Sequence, residues 1–168
     1  NHECRNLTDS NCPNFDETDS ARAYMNFLSG GNPYPYFVVT QTGAFGDAKI
    51  IFTAPNADTN SRSVLRLIEA FVRTHPRARL MASLGTDTYF SLMAHAAAMV
   101  GNSSSGIVEA PSFGLPVVNV GTRQDGRVRA ENVIDVGSHR EEIARGITEA
   151  LAPAFRARLQ NLVNPYGD

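Results

Sequence analysis

The feature that most constrains this fold is an alternation of short apolar runs and amphipathic segments from residue 36 onward. Apolar runs bounded by turn-forming residues predict buried strands. They are "YFVVT", "KIIFTA", "ARLMAS", "AMV", "PVVNV" and "NVIDV". Most of the segments between them have helical spacing. Strands alternating with helices predict an α/β fold, a doubly wound parallel sheet with helices on both faces.

The helical pattern is clearest in "NSRSVLRLIEAFVRTHP", residues 60–76, because its apolar residues recur at the spacings of one helix face. These are Val64, Leu67, Ile68, Phe71 and Val72. A second helix is predicted over "DTYFSLMAHAAAM", residues 87–99, with Tyr89 facing inward, and it runs into the very short strand "AMV". The segment "SGIVEAPSFG" is predicted to be helical and broken near Pro111 and Gly114. Helices are also predicted over "REEIARGITEALA" and "AFRARLQNLV".

One connection between predicted strands is too short for a purely parallel sheet. Only eight residues, "QTGAFGDA", separate the strand "YFVVT" from the strand "KIIFTA". A parallel crossover needs roughly a dozen residues or more. Three alternatives remain open: the two strands are antiparallel, they are not neighbours in the usual way, or a crossover segment is missing.

Length and charge narrow the class of protein. The 168 residues suit one domain. We expect an irregular segment at 1–31 and a folded domain at 32–168. A net charge of −2 argues against a broad nucleic-acid surface. No apolar run approaches about 20 residues, so no membrane span is expected, and with no signal peptide visible a cytoplasmic location is expected. No cluster has metal-ligand spacing, so we expect no metal and no cofactor.

The candidate site lies in "MVGNSSSGIVEAPSFGLPVVNVGTRQDGR", residues 99–127. Its glycine-serine turn, Gly101–Gly106, follows a strand and opens a helix, where backbone N–H groups suit an anion. Ser103 and Ser104 offer hydroxyl donors, and Arg123 follows the next strand at the same sheet edge. A carboxylate such as Glu109, about one turn into the helix, can accept hydrogen bonds from two ribose hydroxyls. The plainer alternative is that the serines only cap the helix and Glu109 is merely solvated.

One glutamine in this stretch and two arginines at or just beyond its end have less defined roles. Arg127 and Arg129 either hold phosphate or belong to the solvated surface. Gln124 has no mechanism that the sequence suggests. The pattern is neither GxGxxG nor GxxxxGK[ST], so neither a dinucleotide site nor a nucleotide triphosphatase is predicted.

The long motif "GNSSSGIVEAPSFGLPVVNVGTRQDGR" resembles the signature of the hydrolysing UDP-N-acetylglucosamine 2-epimerases. "IFTAPNADTNSR", residues 51–62, is similar to the strand-end asparagine motif of that family, and "NPYGD" at 164–168 is a third match. The resemblance covers about residues 36–168, in the family's order and spacing. It implies the C-terminal half of a GT-B-type enzyme, in which two Rossmann-like domains face each other across a cleft.

The resemblance also implies a ligand and a reaction. UDP-binding positions of the family fall on Asn56, Ser103, Ser104, Glu109 and Arg123. The reaction implied is UDP-N-acetylglucosamine plus water to N-acetylmannosamine plus UDP, by anti elimination of UDP and then hydration. The substrate is UDP-N-acetylglucosamine or a related UDP-sugar, such as a 2,4-diacetamido derivative. Homo-oligomerisation is expected by family likeness only.

The chain departs from the family where its catalytic groups belong. From the resemblance we expect this chain to lack the family's N-terminal domain and its acidic residues, and "TGAFGD" follows the strand "YFVVTQ" where the family has a histidine-proline motif. No catalytic residue is therefore assigned to this chain, and the chain alone is expected to be inactive. Two alternatives stay open: an inactive fragment that binds a nucleotide sugar, and half of a nucleotide-sugar glycosyltransferase, which "GNSSSG" followed by "GTRQ" disfavours.

Overall fold

The computed structural model of the chain describes residues 36–39, 48–53, 61–81 and 83–167, with the backbone alone for 36–39 and 61–64. Its strands are β1 Tyr36–Val39, β2 Lys49–Thr53, β3 Ala78–Met81, β4 Ala98–Gly101, β5 Val117–Val120 and β6 Val133–Val136. Its α-helices are α1 Ser61–Thr74, α2 Gly85–His95, α3 Ser105–Val108, α4 Arg140–Leu151 and α5 Pro153–Arg158. Short 3₁₀ helices cover Ala110–Phe113 and Leu159–Asn161.

The six described strands form one sheet in the order β3-β2-β1-β4-β5-β6. Neighbouring strands are parallel except at β1, which runs antiparallel to both β2 and β4. The antiparallel alternative for the short connection is therefore the one that the structure takes. An eight-residue link is too short for a crossover that would return the chain to the same edge. The α/β fold is confirmed, and its parallel sheet carries one reversed strand.

Helices cover both faces of this sheet, as a doubly wound fold requires. One hydrophobic cluster includes Ile68 and Phe71 of α1 and Ile143 and Ile147 of α4, which pack with residues of β2, β4 and β5. A second cluster joins Met93 of α2 to residues around β4, β5 and the first 3₁₀ helix. Alternate strand residues enter different clusters, as the period of two predicts: Ala98 and Val100 belong to the first and Met99 to the second.

Two details of the predicted helices are wrong. Leu67, assigned to the apolar face of α1, is 57% exposed, whereas its neighbour Ile68 is fully buried. The helix predicted over 87–99 ends at His95, and Ala96 is already extended. The alanines after it have high helix propensity, but Ala98 pairs with β1 in the sheet. Here tertiary pairing overrides local propensity.

We predict that Gly146→Ala lowers the free energy of unfolding by about 1–3 kcal/mol, a typical cost of overpacking. Gly146 lies in α4 where a Cβ would stand 2.9 Å from Cγ1 of both Val118 and Val136. Alanine is the better helix former by about 1 kcal/mol, so propensity alone predicts the opposite sign. Urea denaturation measures the difference.

Arg145→Ala is the matched control, because Arg145 is the exposed neighbour of Gly146 in α4. Its effect on the free energy of unfolding should stay within about 0.5 kcal/mol. A Gly146→Ala variant as stable as the wild type would contradict this close packing of α4 on β5 and β6.

Candidate functional site

The glycine-serine turn begins at the carboxyl end of β4. Gly101, the last residue of that strand, has a φ of 144°, a backbone conformation that other residues rarely adopt. Gly106 is needed for a different reason: a Cβ there would lie 2.9 Å from Cγ1 of Val117. The second glycine therefore lets α3 lie close against β5, rather than only giving a ligand access to the backbone.

Hydrogen bonds inside the turn show which of its amides are used. The N–H of Gly106 donates to the Ser103 carbonyl (3.1 Å), and those of Ile107 and Val108 donate to the Ser104 carbonyl (both 2.9 Å). The Ser105 N–H donates to Oγ of Ser103 (3.3 Å), whereas Ser104, the N-cap residue of α3, makes no side-chain cap hydrogen bond. Within the described residues the N–H groups of Ser103 and Ser104 donate to nothing. The turn thus presents two unused backbone donors.

The loop after β5 is bonded directly to this turn. Gln124 donates from Nε2 to the Asn102 carbonyl (2.7 Å), and Arg123 donates from Nη1 to the same oxygen (3.1 Å). Gln124 is 3% exposed, whereas Arg123 is exposed. The predicted placement of Arg123 beside the turn is therefore what the structure has, and Gln124 has a structural role that the sequence did not suggest.

Glu109 immediately follows α3, and its N–H donates to the Ser105 carbonyl (3.1 Å). One carboxylate oxygen, Oε2, is buried and accepts no hydrogen bond within the described part of the chain. Leaving a buried acceptor without a donor is costly in a folded protein. Glu109 is therefore not wholly solvated, because one of its two carboxylate oxygens lies inside the folded chain.

Tyr89 of α2 also contacts the turn. Its hydroxyl and the Ser105 hydroxyl share a hydrogen bond of 2.7 Å. Burial raises the pKa of Tyr89 above its ordinary value of 10.0; the hydrogen bond to Ser105 lowers it and the nearby charge of Glu109 raises it again. Sequence reasoning placed Tyr89 inward but treated it as core, because its polar partner lies 16 residues away.

The C-terminal motif ties the site elements together. Asn164 is buried and donates from Nδ2 to the Val108 carbonyl (2.9 Å) and to Oγ of Ser112 (2.7 Å). The Tyr166 hydroxyl donates to the Val128 carbonyl (3.0 Å). The motif therefore fastens the end of α3 and the loop after β5 to the same C-terminal segment.

Arg127 and Arg129, whose roles the sequence left undecided, make different contacts in the structure. Arg129 makes an ion pair with Asp135 (Nε to Oδ2, 2.6 Å) and donates to the Arg127 carbonyl (2.8 Å). Asp135 in turn accepts from Nδ2 of the buried Asn119 (2.7 Å). Arg129 thus holds the loop after β5 to β6, whereas Arg127 is exposed.

Of the predicted ligand residues, the structure brings Ser103, Ser104, Glu109 and Arg123 to one sheet edge, and Asn56 lies outside the described residues. Among the residues that are described, no group of three or more His, Cys, Asp or Glu side chains is arranged to hold a metal ion. No α-helix in that same part combines the length and apolar character needed to cross a membrane.

We predict that Tyr89 titrates above pH 10, as its raised pKa requires. The neutral hydroxyl is favoured in the folded state, so its contribution to stability is complete below the unfolded pKa and is lost as pH rises through the folded pKa. The measurement is the tyrosinate absorbance of the wild type minus that of Tyr89→Phe. A difference curve with its midpoint at or below pH 10 would contradict the burial of this hydroxyl.

Comparison with known proteins gives the family. The family model described as UDP-N-acetylglucosamine 2-epimerase matches residues 37–168. The polysialic acid biosynthesis protein P7 of Escherichia coli is 36% identical over 69% of the chain and 29% of its own length. The hydrolysing UDP-N,N'-diacetylbacillosamine 2-epimerase of Legionella pneumophila is 41% identical over 67% of the chain and 30% of its own length. The chain therefore spans less than a third of these relatives.

A solved structure shares the fold. The UDP-GlcNAc 2-epimerase of Neisseria meningitidis, crystallised with UDP-GlcNAc, superposes with a TM-score of 0.60 at 18% identity, over 89% of this chain and 37% of that one. At this identity the likeness is one of fold. The family-model match, which runs through the whole glycine-serine motif to the C-terminus, shows that the chain belongs to the UDP-N-acetylglucosamine 2-epimerase family.

Proposed function

We propose that this chain is the UDP-binding part of a hydrolysing UDP-N-acetylglucosamine 2-epimerase. The observation that carries the proposal is the buried Oε2 of Glu109, which accepts no hydrogen bond within the described residues, together with the two unused turn amides at the other end of the four-residue helix α3. A carboxylate for vicinal hydroxyls next to N–H donors for phosphate matches the two polar parts of a nucleoside diphosphate.

In this proposal each side chain has a separate task. Glu109 accepts hydrogen bonds from the ribose hydroxyls. Ser103 and Ser104, with their backbone N–H groups, bind the diphosphate, and the exposed guanidinium of Arg123 supplies a permanent positive charge beside it. Asn56 completes the set as a further UDP contact, proposed from the family motif alone.

The proposed reaction converts UDP-N-acetylglucosamine and water to N-acetylmannosamine and UDP. UDP leaves by anti elimination, which gives a 2-acetamidoglucal, and water then adds. Negative charge develops on the diphosphate as the bond to the sugar breaks. Donors held in place before the reaction stabilise that charge without reorganisation, and this is the contribution proposed for the turn and Arg123.

Proton transfer is not assigned to this chain. The described histidines make helix-end contacts: Nδ1 of His75 lies 2.8 Å from the Phe71 carbonyl, and Nδ1 of His95 lies 2.7 Å from the Ser91 carbonyl. His139 precedes α4 and is exposed. These positions support a chain that binds the leaving group and leaves removal of the C2 proton to the rest of the enzyme.

We predict that the wild-type chain binds UDP about tenfold or more tightly than 2′-deoxy-UDP, since a hydrogen bond to a charged acceptor contributes about 1.5–3 kcal/mol. Glu109→Gln should bind UDP more weakly and lose most of that preference. Calorimetric titration of both nucleotides into both proteins measures this. Glu149→Gln, at an exposed position of α4, is the control and should keep the preference. Equal affinity of the wild type for the two nucleotides would contradict the role of Glu109.

We also predict that Arg123→Ala weakens UDP binding about tenfold and leaves uridine binding unchanged, because uridine lacks the diphosphate. Since Arg123 is exposed, added salt should narrow the difference between wild type and variant. Arg156→Ala removes an equal charge from the exposed side of α5 and should have no effect. Equal losses for UDP and uridine in Arg123→Ala would contradict a diphosphate contact.

A further inference from the structure

We infer that Gln124 is the positioning residue of the glycine-serine turn: it fixes the orientation of the Asn102–Ser103 peptide so that the Ser103 N–H stays available to the diphosphate. The inference rests on the proposed function, because it takes the turn to be the diphosphate site. It assigns a task to a residue of the motif that has no part in the ligand contacts proposed above.

The side-chain NH₂ group of Gln124 is the donor in its contact with Asn102. Gln124 lies 2.7 Å from the Asn102 carbonyl oxygen, which can only accept, so the side-chain amide must present its NH₂ group there. Gln124 is 3% exposed. A buried amide cannot exchange this partner for water, so the contact is a lasting feature of the folded chain.

The planar Asn102–Ser103 peptide links the position of its carbonyl to that of its N–H. The chain has no cis peptide bond among the described residues. In a trans peptide the carbonyl and the following N–H point in opposite directions within one plane. Holding the Asn102 carbonyl toward the loop after β5 therefore holds the Ser103 N–H away from that loop. That N–H donates to nothing in the described part of the chain.

Arg123 donates to the same carbonyl as Gln124, at 3.1 Å, but its role differs from that of Gln124. A carbonyl oxygen has two lone pairs and accepts from both. Arg123 is exposed, so its guanidinium is able to turn toward a bound phosphate, whereas Gln124 is buried and stays. Gln124 thus keeps the peptide oriented while Arg123 moves to the anion.

The test is Gln124→Met, which keeps the length of the side chain and removes its N–H donors. We expect UDP to bind roughly three- to tenfold more weakly, the cost of about one hydrogen bond. Uridine should bind as it does to the wild type, because Glu109 is not disturbed. NMR titration of the chain with UDP and with uridine measures both affinities. In the wild type, the Ser103 amide resonance should shift with UDP and not with uridine.

The matched control is Asn132→Leu. Asn132 is fully buried and also donates from its side-chain amide to a backbone carbonyl, that of Leu115, at 2.8 Å. Its loss should lower stability and leave the ratio of UDP to uridine affinity unchanged. Gln124→Leu is the second variant if Gln124→Met does not fold: its side chain is shorter, and it too has no donor for the Asn102 carbonyl.

Four outcomes would overturn the inference. If UDP affinity does not change, or if UDP and uridine weaken equally, Gln124 only stabilises the loop, and the proposed function stands. If UDP binds but the Ser103 amide resonance does not shift, that amide is not a ligand contact, and again only this inference falls. If the wild-type chain binds no UDP at millimolar concentration, the proposed function and this inference fall together.

Discussion

The site depends above all on the parallel pairing of β4 with β5, in which Gly101 lies opposite Asn119. Parallel strands bring their carboxyl ends to the same edge of a sheet, so the turn after Gly101 and the loop after Val120 start side by side. Their meeting at the Asn102 carbonyl follows from that register. The pairing is buried on both faces, since all residues of β4 and β5 are buried. The packing of the core therefore fixes the relative position of these two loops.

The elements around this pair were largely predictable from the sequence because hydrophobic period and turn residues are local signals. The strands, α1, α4 and the helix broken near Pro111 and Gly114 all follow from them. Orientation of β1 was left open, since a short link excludes a crossover but does not choose the alternative. The exposure of Leu67 was not predictable from the sequence. Leu67 lies at the edge of the apolar stripe of α1, and only the packing of the helix against the sheet decides which edge of the stripe is buried.

The residues of the candidate site also divide into those that the sequence predicts and those that only the structure reveals. Ser103, Glu109 and Arg123 could be proposed because their residue types suit a nucleoside diphosphate and their positions follow strand ends. Gln124 and Tyr89 could not, because each acts through a partner distant in sequence: 22 residues for Gln124 and Asn102, and 16 for Tyr89 and Ser105. Residue type tells what can touch a ligand, whereas the residues that orient those contacts are visible only in three dimensions.

The reversed direction of β1 sets which end of that strand lies near the glycine-serine turn. In the structure Tyr36 pairs with Val100, beside the glycine-serine turn, whereas Val39 pairs with Lys49 at the start of β2. The carboxyl end of β1 therefore lies at the edge opposite the turn. The glycine-serine turn thus lies beside the amino end of β1 and at the carboxyl ends of β4 and β5, so the reversed strand completes the sheet next to the turn without adding a third carboxyl end to that edge.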